Sequence, residues 1–232
     1  MSASLGDRIA GLQLDPPLAL AVATGVIAFA LVAAEGAWRR GRNVITVAHE
    51  AGHAVAALVT GRRLVGVGAH PARSGLALTA GRADGPGMVA TVLAGYLGPS
   101  VLGLVGALVL ADGLVTIALW VAVVLVSATL VLARGTRGVL LAVRAGAPIG
   151  LLAWYAPAPV QATVGLVGCW FLLVGAIRPV VELGQRRRAG YAGDSDIDEL
   201  TRLTPLAAQH WIGLLALGTT AALCLGGWLI LR

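Results

Sequence analysis

The chain has 232 residues, 58% of them hydrophobic and 12% charged, with a mean hydropathy of +0.87. So much apolar surface excludes a soluble globule, and apolar runs of helical length without period-2 alternation exclude an outer-membrane barrel. The net charge of +6 comes entirely from arginines gathered in short loops, with no nucleic-acid-binding module beside them, so they read as topology signals and not as a nucleic-acid surface.

The expected fold is an all-α polytopic membrane protein, a single integral membrane domain over residues 1–232 with six to seven transmembrane helices. Met1 to Asp15 is polar and amphipathic, with no small-residue cleavage site after the first apolar run, so that run reads as a retained helix and not as a signal peptide. Pro17 to Trp38 is the first predicted span, closed by Arg39, Arg40 and Arg42, with Glu35 meeting those arginines or interfacial water. Asn43 to Thr60 is the second, with Asn43 or Thr46 as N-cap and Gly61-Arg62-Arg63 as its stop.

The second segment carries His49-Glu50-Ala51-Gly52-His53. Residues four apart share a helix face, so His49 and His53 can present two imidazoles to one ion, with Glu50 placed to act on a water there. This is the geometry in which two neutral imidazoles hold Zn2+ and a carboxylate serves as general base. Ionisable residues at membrane depth cost several kcal/mol, which makes three in five positions hard to read as filler.

Residues 64–82 differ in kind. Two short β-like runs, Leu64 to Ala69 and Gly75 to Ala80, flank the turn-rich His70 to Ser74, which predicts a β-hairpin directly after the motif helix. Unpaired strand edges cannot face lipid, so the hairpin must pack on protein or sit in an aqueous cleft, where its edge could accept an extended substrate.

Gly87 to Ala111 is the next span, with Gly95, Gly98, Gly103 and Gly106 for close helix approach, Pro99 as a kink point, and Tyr96 and Ser100 as packing residues. Leu114 to Ala133 follows. Gly138 to Tyr155, interrupted by Arg144 and Pro148, reads as a broken helix, a re-entrant piece, or a strand plus half-helix. Val160 to Ile177 is a clear helix, with a polar extension from Arg178 to Arg188. An acidic juxtamembrane segment spans 189–204, and Gln209 to Leu231 is the last helix. Cys169 and Cys224 fall in apolar runs and read as small hydrophobes. With seven crossings, thirteen arginines lie on one side and four on the other, which places the N-terminus, the hairpin and the acidic segment in the cytoplasm.

A catalytic zinc commonly takes three protein ligands. From the residues alone the third is open among His70, His210, Asp112, Glu182, Asp194, Asp196, Asp198 and Glu199. Topology favours the acidic segment, although Ser195-Asp196-Ile197-Asp198-Glu199-Leu200 also resembles a plain helix start, with Ser195 as cap.

The His-Glu-x-Gly-His motif, the Gly-rich hairpin, the Ala-Gly-Tyr-Leu-Gly-Pro helix from Ala94 and the late Ser195-Asp196 together resemble the site-2 protease family, in its compact bacterial branch without a PDZ domain. The resemblance runs from about Asn43 to Trp211. It implies an intramembrane zinc metallopeptidase with His49 and His53 as ligands, Glu50 as general base and a late Asp as third ligand. Better-known members hold that Asp in an Asp-Gly context that this chain lacks. Asp196 is the nearest correspondence, with Asp198 in reserve. The implied partner is a single-span membrane substrate in the lipid bilayer, and the implied place is a bacterial inner membrane with the site toward the cytoplasm; the exclusive use of arginine fits a GC-rich bacterial source. The competing readings are a zinc-binding or client-binding protein of the same fold without activity, and a small transporter. Oligomeric state is left open.

Overall fold

A computed structural model describes residues 17–67, 77–80, 82–132, 136–190 and 195–232. The chain opens with α1 (Leu18–Ala33) and α2 (Glu35–Val59), followed by β1 (Arg63–Val67) and β2 (Ala77–Ala80). It continues through α3 (Pro86–Ala111), α4 (Val115–Leu132), α5 (Thr136–Tyr155), α6 (Ala158–Gly175), α7 (Ile177–Arg188), α8 (Asp196–Leu203) and α9 (Ala208–Leu231).

The first correction concerns the boundary between the opening helices. The sequence places it at Arg39 to Arg42, but α2 runs straight through those arginines and the break falls at Ala34, in extended conformation. Arginine is a good helix former, so the charges do not end the helix. The two axes differ by 102°. A break leaves carbonyls at the end of α1 without intrahelical partners. The Arg178 guanidinium donates to one of them, on Val32, and pairs with Glu35 at the start of α2 and with Glu182 at 3.0 Å. It also lies over the Trp38 ring, whose Nε1 donates to Glu182. Glu35 thus meets Arg178 and not the arginines of its own helix.

The described residues supply part of the expected crossings. Among the described residues, three helical stretches are long and apolar enough to span a bilayer: Pro86–Ala111, Ala158–Arg188 and Ala208–Leu231. The bent pair α1 and α2 makes a fourth if it is one span. Helix α4 is apolar over its 18 residues, near the lower length of a span. The segment expected to be broken is one helix, α5, which continues through Pro148 with Arg144 exposed. These apolar helices are those of a membrane protein, and among the described residues three to four of the six to seven expected spans meet the length and apolarity of a crossing. The arginine count rests on seven crossings, more than the described spans supply.

Strands β1 and β2 pair antiparallel, from Arg63 opposite Ala80 to Val67 opposite Ala77, with a register irregularity between Leu64 and Gly66. The turn expected at His70 to Ser74 lies outside the described residues.

Two packing features position the histidine motif of α2 and the acidic start of α8. Helices α2 and α3 cross with almost no side chain between them: a Cβ on Gly52 would lie 2.1 Å from the Ala94 carbonyl oxygen, and one on Gly98 would lie 2.7 Å from that of Ala48. Such small-residue contacts let backbones approach where lipid supplies no hydrophobic drive. Helix α8 has eight residues, too few to be stable alone. It is held by Ile197 and Leu200, both 0% exposed, which pack with Val92, Val180, Trp211 and Leu215. Each such burial contributes about 1.5–3 kcal/mol.

Candidate metal centre

His49 and His53 stand one turn apart on the face of α2 that meets α3, and Asp196 is the first residue of α8. The fold brings the three together. Asp196 Oδ2 lies 3.1 Å from His49 Nε2 and 3.4 Å from His53 Nε2, and the two Nε2 atoms are 3.0 Å apart. Among the described residues, this is the group of His, Cys, Asp and Glu whose ligand atoms could hold one metal ion.

The protons of the site favour such an ion. His53 Nδ1 is 2.7 Å from the backbone carbonyl of Thr91. A carbonyl only accepts, so Nδ1 carries the hydrogen, and in the neutral ring Nε2 is a bare lone pair. That lone pair faces the Asp196 carboxylate, also an acceptor. His49 Nε2 can hold one hydrogen and so can serve only one of them. A cation among the three satisfies all of them at once. Tetrahedral zinc with N and O ligands at about 2.0–2.2 Å needs ligand atoms about 3.3 Å apart, close to the separations found.

Burial alone would push the Asp196 carboxyl up, but protonated His49 and His53 rings, by their hydrogen bonds and charge, hold it below the usual carboxylate range, and a metal cation in place of those protons acts in the same direction. It is therefore ionised at neutral pH, the form a metal ligand requires. The side chains of His49 and Asp196 are 21% and 29% exposed against 10% for His53, so the open side of the site lies toward the first two. The His49 ring is held edge-on by Tyr96, with centroids 5.1 Å apart. Glu50, the residue after His49 on α2, is 2% exposed.

The other candidates lie elsewhere. Asp198 is turned to Ser195 and Arg187, Glu199 pairs with Arg202, Glu182 belongs to the Arg178 cluster, and His210 is exposed at the start of α9. Asp112 follows the far end of α3, about 24 Å along the helix from Tyr96. His70 and Asp194 lie outside the described residues.

Sequence reasoning missed Thr91, which acts through a backbone carbonyl and so leaves no residue signature. It also read Gly95 only as a packing residue. A Cβ at Gly95 would lie 2.3 Å from His53 Cε1, 2.4 Å from His53 Nε2 and 2.9 Å from His49 Cε1. The missing side chain is the space the imidazoles occupy. Gly95→Ala is expected to cut the zinc content of the purified protein well below one equivalent. Gly213→Ala, where a Cβ meets nothing within 4 Å, should leave it unchanged. Equal zinc in both variants would refute the steric argument.

A family model described as Peptidase M50B-like matches residues 22–226. No curated protein and no solved structure matches the chain. The match takes in most of the chain, which therefore belongs to the site-2 protease family of membrane peptidases.

Proposed function

We propose that this member of the site-2 protease family is a zinc metalloprotease that hydrolyses peptide bonds of single-span membrane proteins within or beside the bilayer. The observation that carries this reading is the convergence of His49 Nε2, His53 Nε2 and Asp196 Oδ2 one helical position from Glu50. When bound there, zinc supplies Lewis acidity, lowering the pKa of a water to about 7 and polarising the scissile carbonyl.

The chain's own groups do the rest. Thr91 keeps the His53 proton on Nδ1, and Tyr96 keeps the His49 ring on edge, so both Nε2 lone pairs stay aimed at the metal position. Glu50 takes a proton from the attacking water onto its carboxylate and returns it to the departing amide nitrogen, as the new C–O bond replaces the C–N bond. The burial of Glu50 keeps bulk water from competing for that proton. Intact helical carbonyls are shielded, so the substrate must unwind locally, and the edge of the β1–β2 pair can take the unwound stretch as an added strand.

The cellular setting proposed is a bacterial inner membrane with the site opening to the cytoplasm. In inverted membrane vesicles, a membrane-impermeant chelator added outside should then stop cleavage, and cleavage that continues would reverse the orientation. The activity itself is tested in proteoliposomes holding the full chain and a single-span peptide. The peptide should be cut within or next to its apolar segment, while its soluble flanking sequence alone should not be. Equal cleavage of both would refute an intramembrane role.

A further inference from the structure

Of the three converging side chains, the one supplied latest has the shortest support. His49 and His53 ride on the 25-residue α2, whereas Asp196 opens a helix of eight residues. Two residues further, Asp198 lies about 200° round the helix, so its carboxylate points away from the imidazoles. Both its oxygens are engaged. Oδ2 accepts from the Ser195 backbone N–H at 3.0 Å and from the Ser195 hydroxyl at 2.6 Å, which ties down the residue immediately before Asp196. Oδ1 pairs with the guanidinium of Arg187, on the last turn of α7. Among the described residues, only this bond reaches from the first turn of α8 to another helix through a polar group outside the converging site. It also sets a positive charge two residues from a carboxylate that would hold a cation, a position that electrostatics alone disfavours.

We propose that Arg187 is a positioning residue for Asp196: through Asp198 and Ser195 it fixes the first turn of α8, and with it the carboxylate facing His49 and His53. This rests on the zinc reading above and deepens it. The two effects of Arg187 on a bound cation have opposite signs. Deleting its charge should by electrostatics tighten zinc binding, whereas releasing the turn should weaken it.

The test is zinc affinity, measured by chelator competition on the detergent-purified full chain, with helical circular dichroism as the check on folding. R187A is expected to bind zinc about tenfold more weakly or worse, the range found when groups supporting metal ligands are removed. R187K, which keeps the ion pair, should recover most of that loss. R186A removes an exposed charge from the same turn of α7 and should bind zinc as tightly as the wild type or more so. In the double variant R187A/D198A the losses should fall short of the product of the single ones, because the two residues act through one bond. Should R187A fail to fold, R187Q carries the same comparison.

Unchanged or tighter zinc binding in R187A, or losses that multiply in the double variant, would overturn the proposal. A wild type that binds no zinc would instead remove the reading on which it rests. A wild type that binds zinc without cleaving peptides would remove the protease reading and leave the positioning role standing.

Discussion

Glu50→Gln is expected to lower peptide cleavage by about 10²–10⁴-fold, the contribution typical of a positioned general base, while the protein retains its zinc. The substitution keeps the shape and hydrogen-bonding reach of the side chain and removes only its ability to accept the proton of the attacking water. Glu50 stands next to His49 on the same helix but is not among the three side chains whose ligand atoms converge. The base and the ligands should therefore separate experimentally. Cleavage and zinc content measured on one preparation make that separation: zinc near one equivalent with cleavage lost supports the assigned role, and cleavage at the wild-type rate would remove it.

Asp196→Ala should fail in the opposite order, losing metal first. With one of three protein ligands gone and two imidazole lone pairs left, zinc affinity should fall about a hundredfold or more, and cleavage with it. Excess zinc should restore part of the metal occupancy but little of the cleavage, because the third ligand also fixes where the remaining coordination position points. The comparison with Asp198→Ala is decisive for the assignment. Asp198 binds Ser195 and Arg187, so its loss should weaken zinc only by loosening the turn, well short of the loss at Asp196. A larger loss at Asp198 than at Asp196 would exchange their roles.

The convergence of His49 and His53 was legible from the sequence because it is local: they are four apart on a helix, and helix geometry alone places them together. The short strand pair was legible for a similar reason, since a turn-rich stretch between two β-like runs is a local signal. Asp196 was legible only as part of an acidic cluster. The resemblance set it ahead of Asp198, but the direction in which α8 leaves Ser195, which turns the two carboxylates apart, is set by Ile197 and Leu200 packing against helices far away in sequence.

The misplaced helix boundary has the same origin. Arg39 to Arg42 look like a loop when charge is taken as the end of a span, but the break sits at Ala34, where Arg178 serves the freed carbonyl of Val32 across 146 positions of chain. The angle between these two helices was not legible either, because hydropathy finds apolar windows and does not find a 102° bend between two of them. Thr91 and Gly95 show a third kind of limit. One contributes a backbone carbonyl and the other contributes space, and neither has a residue type that announces the role.

Metal dependence of cleavage tests the central claim most directly, using the single-span peptide in proteoliposomes and one protein sample stripped by chelator and then refilled. The expected result is no cleavage from the stripped protein and full recovery as zinc approaches one equivalent per chain, with Glu50→Gln silent at every zinc level. Undiminished cleavage by the metal-free protein, or none by a protein carrying one zinc at His49, His53 and Asp196, would contradict the assignment of a zinc peptidase.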